Sequence, residues 1–94
     1  MNADEEPVRI PINGELDLHT FRPAEIATLL EDYFAECRLR GILRVRVIHG
    51  KGTGTLRQTV HSRLRAMHCV SGFSAADESS GGWGATWVEL RAGA

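Results

Sequence analysis

The segment from Leu43 to Met67 constrains this chain more than any other. It opens with Leu43, Val45, Val47 and Ile48, passes through His49-Gly50-Lys51-Gly52-Thr53-Gly54, and continues into Leu56, Val60, Leu64 and Met67. The first run is β-rich, since branched side chains suit a pleated, half-buried surface. The last is an apolar row at helical spacing. A strand, a tight glycine turn and a helix in that order specify an α/β unit whose helix packs back across a sheet. Arg44 and Arg46 alternate with the apolar positions of the strand, so one of its faces is at least partly wet.

The neighbouring segments extend this pattern. Val8, Ile10 and Ile12 alternate with Arg9 and Pro11, which predicts an N-terminal arm or edge strand within residues 1–13, because proline cannot donate to a ladder. Asn13–Gly14 is a turn signal. Glu15–His19 reads as a short strand with Leu16 and Leu18 on one side and Asp17 and His19 on the other. Thr20 is a candidate helix cap, and Pro23 suits the first helical turn. Ile26, Leu29, Leu30, Tyr33, Phe34 and Cys37 form one apolar stripe, which Gly41 brings to a stop. Downstream, Val70–Ala76 predicts a strand and residues 77–83 a Gly/Ser-rich loop. Ala85–Leu90 predicts a closing strand, with Thr86, Val88 and Leu90 to one side and Trp87 and Glu89 to the other. At 94 residues this is one domain, in which helices pack against a mixed sheet.

Composition matters mainly through charge. The hydrophobic share of 43% is ordinary for a soluble globular protein, and no apolar run approaches the length of a transmembrane helix. The acidic start (Asp4, Glu5, Glu6) is unlike a signal peptide, so a cytoplasmic location is expected. Cys37 and Cys69 lie beside apolar positions and are expected to be small buried hydrophobes. The net charge of −1 hides an asymmetry. Arg38, Arg40, Arg44, Arg46, Lys51, Arg57, Arg63 and Arg65 follow one another with no Asp or Glu between them. Local sign matters more than total charge to a polyanionic partner. The alternative is a solvated surface whose charges happen to segregate.

The glycine turn is the best candidate for chemistry. Glycine lets backbone N–H groups approach an anion without a Cβ in the way, and the start of a helix offers orphan donors and a positive dipole end. Lys51 adds a point charge, and Arg57 can add a fork of donors. Gly50, Lys51, Gly52, Thr53, Gly54 and Arg57 are therefore the candidate phosphate-binding residues. The turn is neither a P-loop nor Gly-x-Gly-x-x-Gly, which argues against nucleoside triphosphates and dinucleotides. A plain tight turn is the structural alternative. Asp17 and His19 share a strand face and can orient an imidazole or contribute to a metal site, although such pairs are often only structural. In open α/β sheets ligands sit at the C-terminal ends of parallel strands. If the strands ending near His19 and His49 are parallel neighbours, both imidazoles border the turn. His61 and His68 read as surface or boundary residues.

Three motifs in order resemble one family. Leu16-Asp17-Leu18-His19, then His49-Gly50-Lys51-Gly52-Thr53-Gly54 with Leu56, then Gly82-Trp83-Gly84-Ala85-Thr86 with Val88 and Leu90, are similar to the signatures of Smr (small MutS-related) domains. The resemblance spans residues 14–91. It departs at Thr20, where the family often has glycine. It implies an α/β (α+β) two-layer sandwich of βαβαββ order, a mixed four-stranded sheet carrying two helices, like the C-terminal domain of translation initiation factor three. It also implies nucleic-acid binding and, as in several members, endonuclease activity on DNA or RNA.

Three functions follow for testing. In an endonuclease, the turn, Lys51 and Arg57 would hold the scissile phosphate, and His49 or His19 would act as general base or acid. Asp17 would orient His19 or help to hold a divalent metal such as magnesium or manganese, although one carboxylate is a poor two-metal site. In a binding module without chemistry, the same cradle would grip branched DNA or structured RNA. Trp83 and Trp87 would then either stack on bases or pack in the sheet. In a protein adaptor, the acidic helix face of Glu25, Glu31, Asp32 and Glu36 would meet a partner, though any solvated helix shows such a face.

Overall fold

A computed structural model of the chain describes residues 11–50, 54–76 and 84–92. The elements are β1 (Glu15–Asp17), α1 (Pro23–Leu39), β2 (Arg44–Ile48), α2 (Thr55–Ala66), β3 (Val70–Ala75) and β4 (Ala85–Leu90). They form one four-stranded sheet in the order β1-β2-β4-β3. β1 runs parallel to β2, while β4 lies antiparallel to both β2 and β3. The sheet is mixed and carries two helices, as the βαβαββ reading expected. Most of the predicted N-terminal arm lies outside the described residues.

The core forms where one face of the sheet meets the helices. Leu16, Val45, Val47 and Val88 pack with Ile26, Leu30 and Phe34 of α1 and with Val60 and Leu64 of α2. The stripe of α1 is buried as its spacing required, with Leu29 only partly covered. Its C-terminus closes in a Schellman arrangement. Gly41, at φ +73°, donates to Arg38 O, and Ile42 donates to Cys37 O. Tyr33 lies within the stripe and ties the preceding turn to the helix. Its hydroxyl accepts from Gly14 N–H at 3.2 Å and donates to Glu15 O at 3.1 Å.

Two boundaries differ from the sequence reading. α1 is capped by Arg22 rather than Thr20. Pro23 disfavours helical backbone in the residue before it, so Arg22 stays extended and the helix begins at the proline. Arg22 N–H then donates to Glu25 Oε1 at 2.7 Å, while Phe21 N–H closes a turn onto Leu18 O. β1 also ends two residues before His19. Asp17 Oδ1 accepts the His19 N–H at 2.9 Å, a local side-chain turn that competes with ladder pairing.

The open face of the sheet revises the charge reading. Arg46 pairs with Glu15 at 3.1 Å, and Arg44 pairs with Glu89 at 3.2 Å, each across a register partner. Arg40 pairs with Glu36, and Arg38 Nε donates to Arg91 O. The acid-free stretch of sequence is therefore met by acids from other parts of the chain. Among the described residues, its unbroken basic character survives along α2, where every charged residue is an arginine: Arg57, Arg63 and Arg65. No described helix is long and apolar enough to cross a membrane.

Candidate functional site

Parallel pairing brings the two expected motifs together. Asp17 and Ile48 are register partners at the ends of β1 and β2, and the same offset carried on sets His19 level with Gly50, one residue past His49. Gly50 lies against the His19 ring, and its carbonyl lies 3.1 Å from His49 Nδ1. A Cβ built on it would sit 3.6 Å from His19 Nε2, and its φ of +82° is a backbone conformation that favours glycine. Both imidazoles therefore border the start of the turn.

Their environments are opposite. The side chains of His19 and Asp17 are 68% and 59% exposed, and His19 Nδ1 lies 3.1 Å from Asp17 Oδ1. Asp17 thus holds both the backbone N–H and the ring of His19. This fixes the ring orientation and leaves Nε2 on the Gly50 side. His49 is only 5% exposed, and both of its nitrogens are engaged. Nδ1 lies 3.1 Å from Gly50 O and Nε2 lies 2.9 Å from Thr86 Oγ1. Thr86 Oγ1 in turn lies 2.8 Å from His61 Nε2. The ring of His61 also packs against Phe73.

A cleft of about 280 Å³ opens beside this pair of strand ends. Phe21 and Pro23, ahead of and at the start of α1, line it together with Gly54, Thr55 and Arg57 at the start of α2, as do His49 and Gly50. Gly54 caps α2 in the left-handed region at φ +86°, and its carbonyl accepts Gln58 N–H. Arg57 is exposed in the first turn of that helix. Gly50, Gly54 and Arg57 thus share one cleft; His19 is not among its lining residues and adjoins it through Gly50. Lys51, Gly52 and Thr53 lie outside the described residues, as does Trp83. Trp87 lies away from the cleft, on the open sheet face with the Arg44 guanidinium 4.2 Å above its ring. Among the described residues no group of three or more His, Cys, Asp or Glu side chains could hold a metal ion. Asp17 and His19 are two donors, and Asp17 Oδ1 already holds His19 Nδ1, so on their own they are too few for a metal centre.

Burial lowers the pKa of His49 below its ordinary 6.5; the Gly50 hydrogen bond opposes this and the Arg57 charge adds to it. Burial also lowers that of His61, helped by His49, Arg57 and Arg65. Unfolding lets both rings bind protons that the fold refuses. Their contribution to stability is therefore complete above about pH 6.5 and is lost as the pH falls below it. Thermal melts between about pH 7.5 and 5 should show the midpoint falling on the acid side, above the range where carboxylates titrate. A flat profile would mean the two rings are not sequestered.

His61 and Thr86 are the site residues that sequence reasoning missed. A signal was present. Thr86 alternates with Val88 and Leu90 on the buried side of β4, and a hydroxyl there needs a partner.

The Smr domain family model matches residues 16–91. Endonuclease MutS2 of Geobacillus kaustophilus is 43% identical over 80 residues, covering 85% of this chain and 10% of that protein. Endonuclease MutS2 of Pelotomaculum thermopropionicum is 40% identical over 79 residues, with similar coverage. The chain thus spans about a tenth of the length of these relatives. The Smr domain of Thermus thermophilus MutS2 superposes with a TM-score of 0.78 at 38% identity, covering 84% of this chain and 99% of that one. YdaL, a stand-alone small MutS-related protein from Escherichia coli, gives 0.76 at 26% identity, covering 83% and 64%. From its motifs, its topology and a family match across most of its length, this chain belongs to the Smr domain family.

Proposed function

We propose that residues 14–91 form a nucleic-acid-binding unit that holds a backbone phosphate in the cleft beside Gly50, and that His19, oriented by Asp17, moves the proton in cleavage of the phosphodiester. One observation carries this reading. An exposed imidazole, held by a carboxylate, sits against a glycine at the C-terminal ends of two parallel strands, next to a helix start. The endonuclease designation of the MutS2 relatives supports it.

The Arg57 guanidinium and the positive dipole end at the start of α2 would bind the phosphate oxygens and the charge that develops on them. Lys51 adds charge to the same turn. With Nδ1–H given to Asp17, His19 Nε2 accepts the proton of the attacking hydroxyl or water as its oxygen bonds to phosphorus. The P–O bond to the leaving group breaks, and the departing oxygen takes up a proton from solvent water. Asp17 stabilises the imidazolium that forms. His49, with both nitrogens engaged, supports the turn rather than exchanging protons with substrate. The cleft of about 280 Å³ lies where that phosphate would sit. Recognition then depends on backbone shape, as in branched DNA or structured RNA. The free thiols of Cys37 and Cys69 fit a cytoplasmic setting.

Plasmid nicking and RNA cleavage by the purified chain test the reaction. Activity is expected to fall in Asp17→Ala and His19→Ala, and equal activity in wild type and both variants would mark a contaminating nuclease and overturn the assignment. A second reading, binding without turnover, is favoured by the exposure of the Asp17–His19 pair, since water is not excluded from it. Both readings share a salt dependence. Affinity should fall linearly on a log–log plot against salt, and Arg57→Ala should reduce that slope by about 1. An unchanged slope in Arg57→Ala would remove Arg57 from the phosphate contact.

A further inference from the structure

Hydrogen bonds on the helix side of the sheet fix the direction of each proton between α2 and the turn. Gly50 O can only accept, so His49 Nδ1 at 3.1 Å carries a proton. In the neutral ring that burial favours, Nε2 is then an acceptor, and Thr86 Oγ1 at 2.9 Å donates to it. Thr86 has then used its single proton, so it accepts from His61 Nε2–H at 2.8 Å. The chain runs from α2 through β4 and β2 to the Gly50 carbonyl. The N–H groups of Gly50 and His49 both donate to Gly84 O, at 2.9 and 2.8 Å. Both polar groups of Gly50 are thus tied, and its bare side faces His19.

Packing alone does not call for this arrangement. Thr86 is fully buried on the strand face that also carries Val88 and Leu90, where an isosteric valine would avoid burying a hydroxyl. The Thr86 hydroxyl instead supplies a donor to His49 Nε2 and His61 a donor to that hydroxyl, which together hold in one orientation the ring whose tautomer Gly50 O sets.

We propose that Thr86 and His61 are positioning residues for the site, acting through His49 to fix the Gly50 peptide against which His19 and the bound phosphate lie. The mention of phosphate rests on the function proposed above, whereas the relay itself can be tested without nucleic acid. The charged groups around it are Arg57 and Arg65, which disfavour extra protons on His61, and β3 contributes the Phe73 ring.

The test uses nitrogen NMR of the imidazoles in the full chain near neutral pH. Wild type should show His49 as the Nδ1–H tautomer and His61 as the Nε2–H tautomer. In Thr86→Val, His61 should relax to a mixture of tautomers, and amide exchange at His49 and Gly50 should accelerate about tenfold, the scale of one lost hydrogen bond. Affinity for a short single-stranded oligonucleotide should weaken by a similar factor. Thr86→Ser should restore all three. Should Thr86→Val fail to fold, His61→Phe removes the donor at the outer end of the relay and should speed exchange at the same amides. A wild-type His49 in the Nε2–H form, or unchanged exchange at His49 and Gly50 in a folded Thr86→Val, would overturn the proposal. If wild type binds no oligonucleotide, the phosphate assignment fails, while the tautomer and exchange data still decide the relay.

Discussion

Replacing His19 with alanine is expected to lower phosphodiester cleavage by about 10²–10⁴-fold, the usual contribution of a positioned general base, while leaving the melting temperature close to that of wild type. The two halves of this expectation have separate causes. The ring supplies the proton acceptor beside Gly50, and no other described imidazole borders the turn with a nitrogen clear of protein hydrogen bonds. Yet the ring is largely exposed and its contact with Asp17 is screened by water, so its removal takes little from the core. Asp17→Asn should separate orientation from charge. The amide oxygen can still accept the His19 N–H, but the ring loses the anion that stabilises its protonated form. Initial rates and thermal melts on the same preparations check this. A His19→Ala variant that cleaves at the wild-type rate would transfer the chemistry elsewhere.

Phe34→Ala is expected to act on the fold instead. Phe34 is fully buried within α1 and is, among the described residues, the largest side chain with no exposure. Truncating a buried phenylalanine costs about 3–5 kcal/mol. A domain of this length has a total stability of roughly 5–15 kcal/mol, so the variant should lose a large share of it. For a domain of this size the melting midpoint should drop by about 15–30 °C. Urea unfolding measures the same loss at constant temperature. A decrease under about 1 kcal/mol would mean that α1 is not docked through this residue.

The contrast between these two residues reflects what the sequence made legible. The α1 stripe and the alternation of β4 are local patterns; the first named a buried face, and the second separated Thr86, Val88 and Leu90 from Trp87 and Glu89, a division that burial in the fold follows. The parallel pairing of β1 with β2 was inferred only conditionally, because register is a long-range property. The cap of α1 was misplaced since Thr20 has the chemistry of a cap, while Pro23 imposes the extended residue before it at Arg22. The basic stretch looked like one surface because Glu15 and Glu89 meet Arg46 and Arg44 only once the sheet has assembled. For the same reason His61 read as a boundary residue. Its partner Thr86 is 25 positions away, and the two meet only when α2 packs beside β4.

Backbone amide NMR during titration with single-stranded, duplex and branched oligonucleotides probes the phosphate cleft most directly. Chemical-shift changes should concentrate at His19, Gly50, Gly54, Thr55 and Arg57, the residues that meet around the strand ends and the start of α2. Changes confined to the open sheet face, at Arg44, Trp87 and Glu89, would place the nucleic acid on the wrong side of the sheet and contradict the assignment.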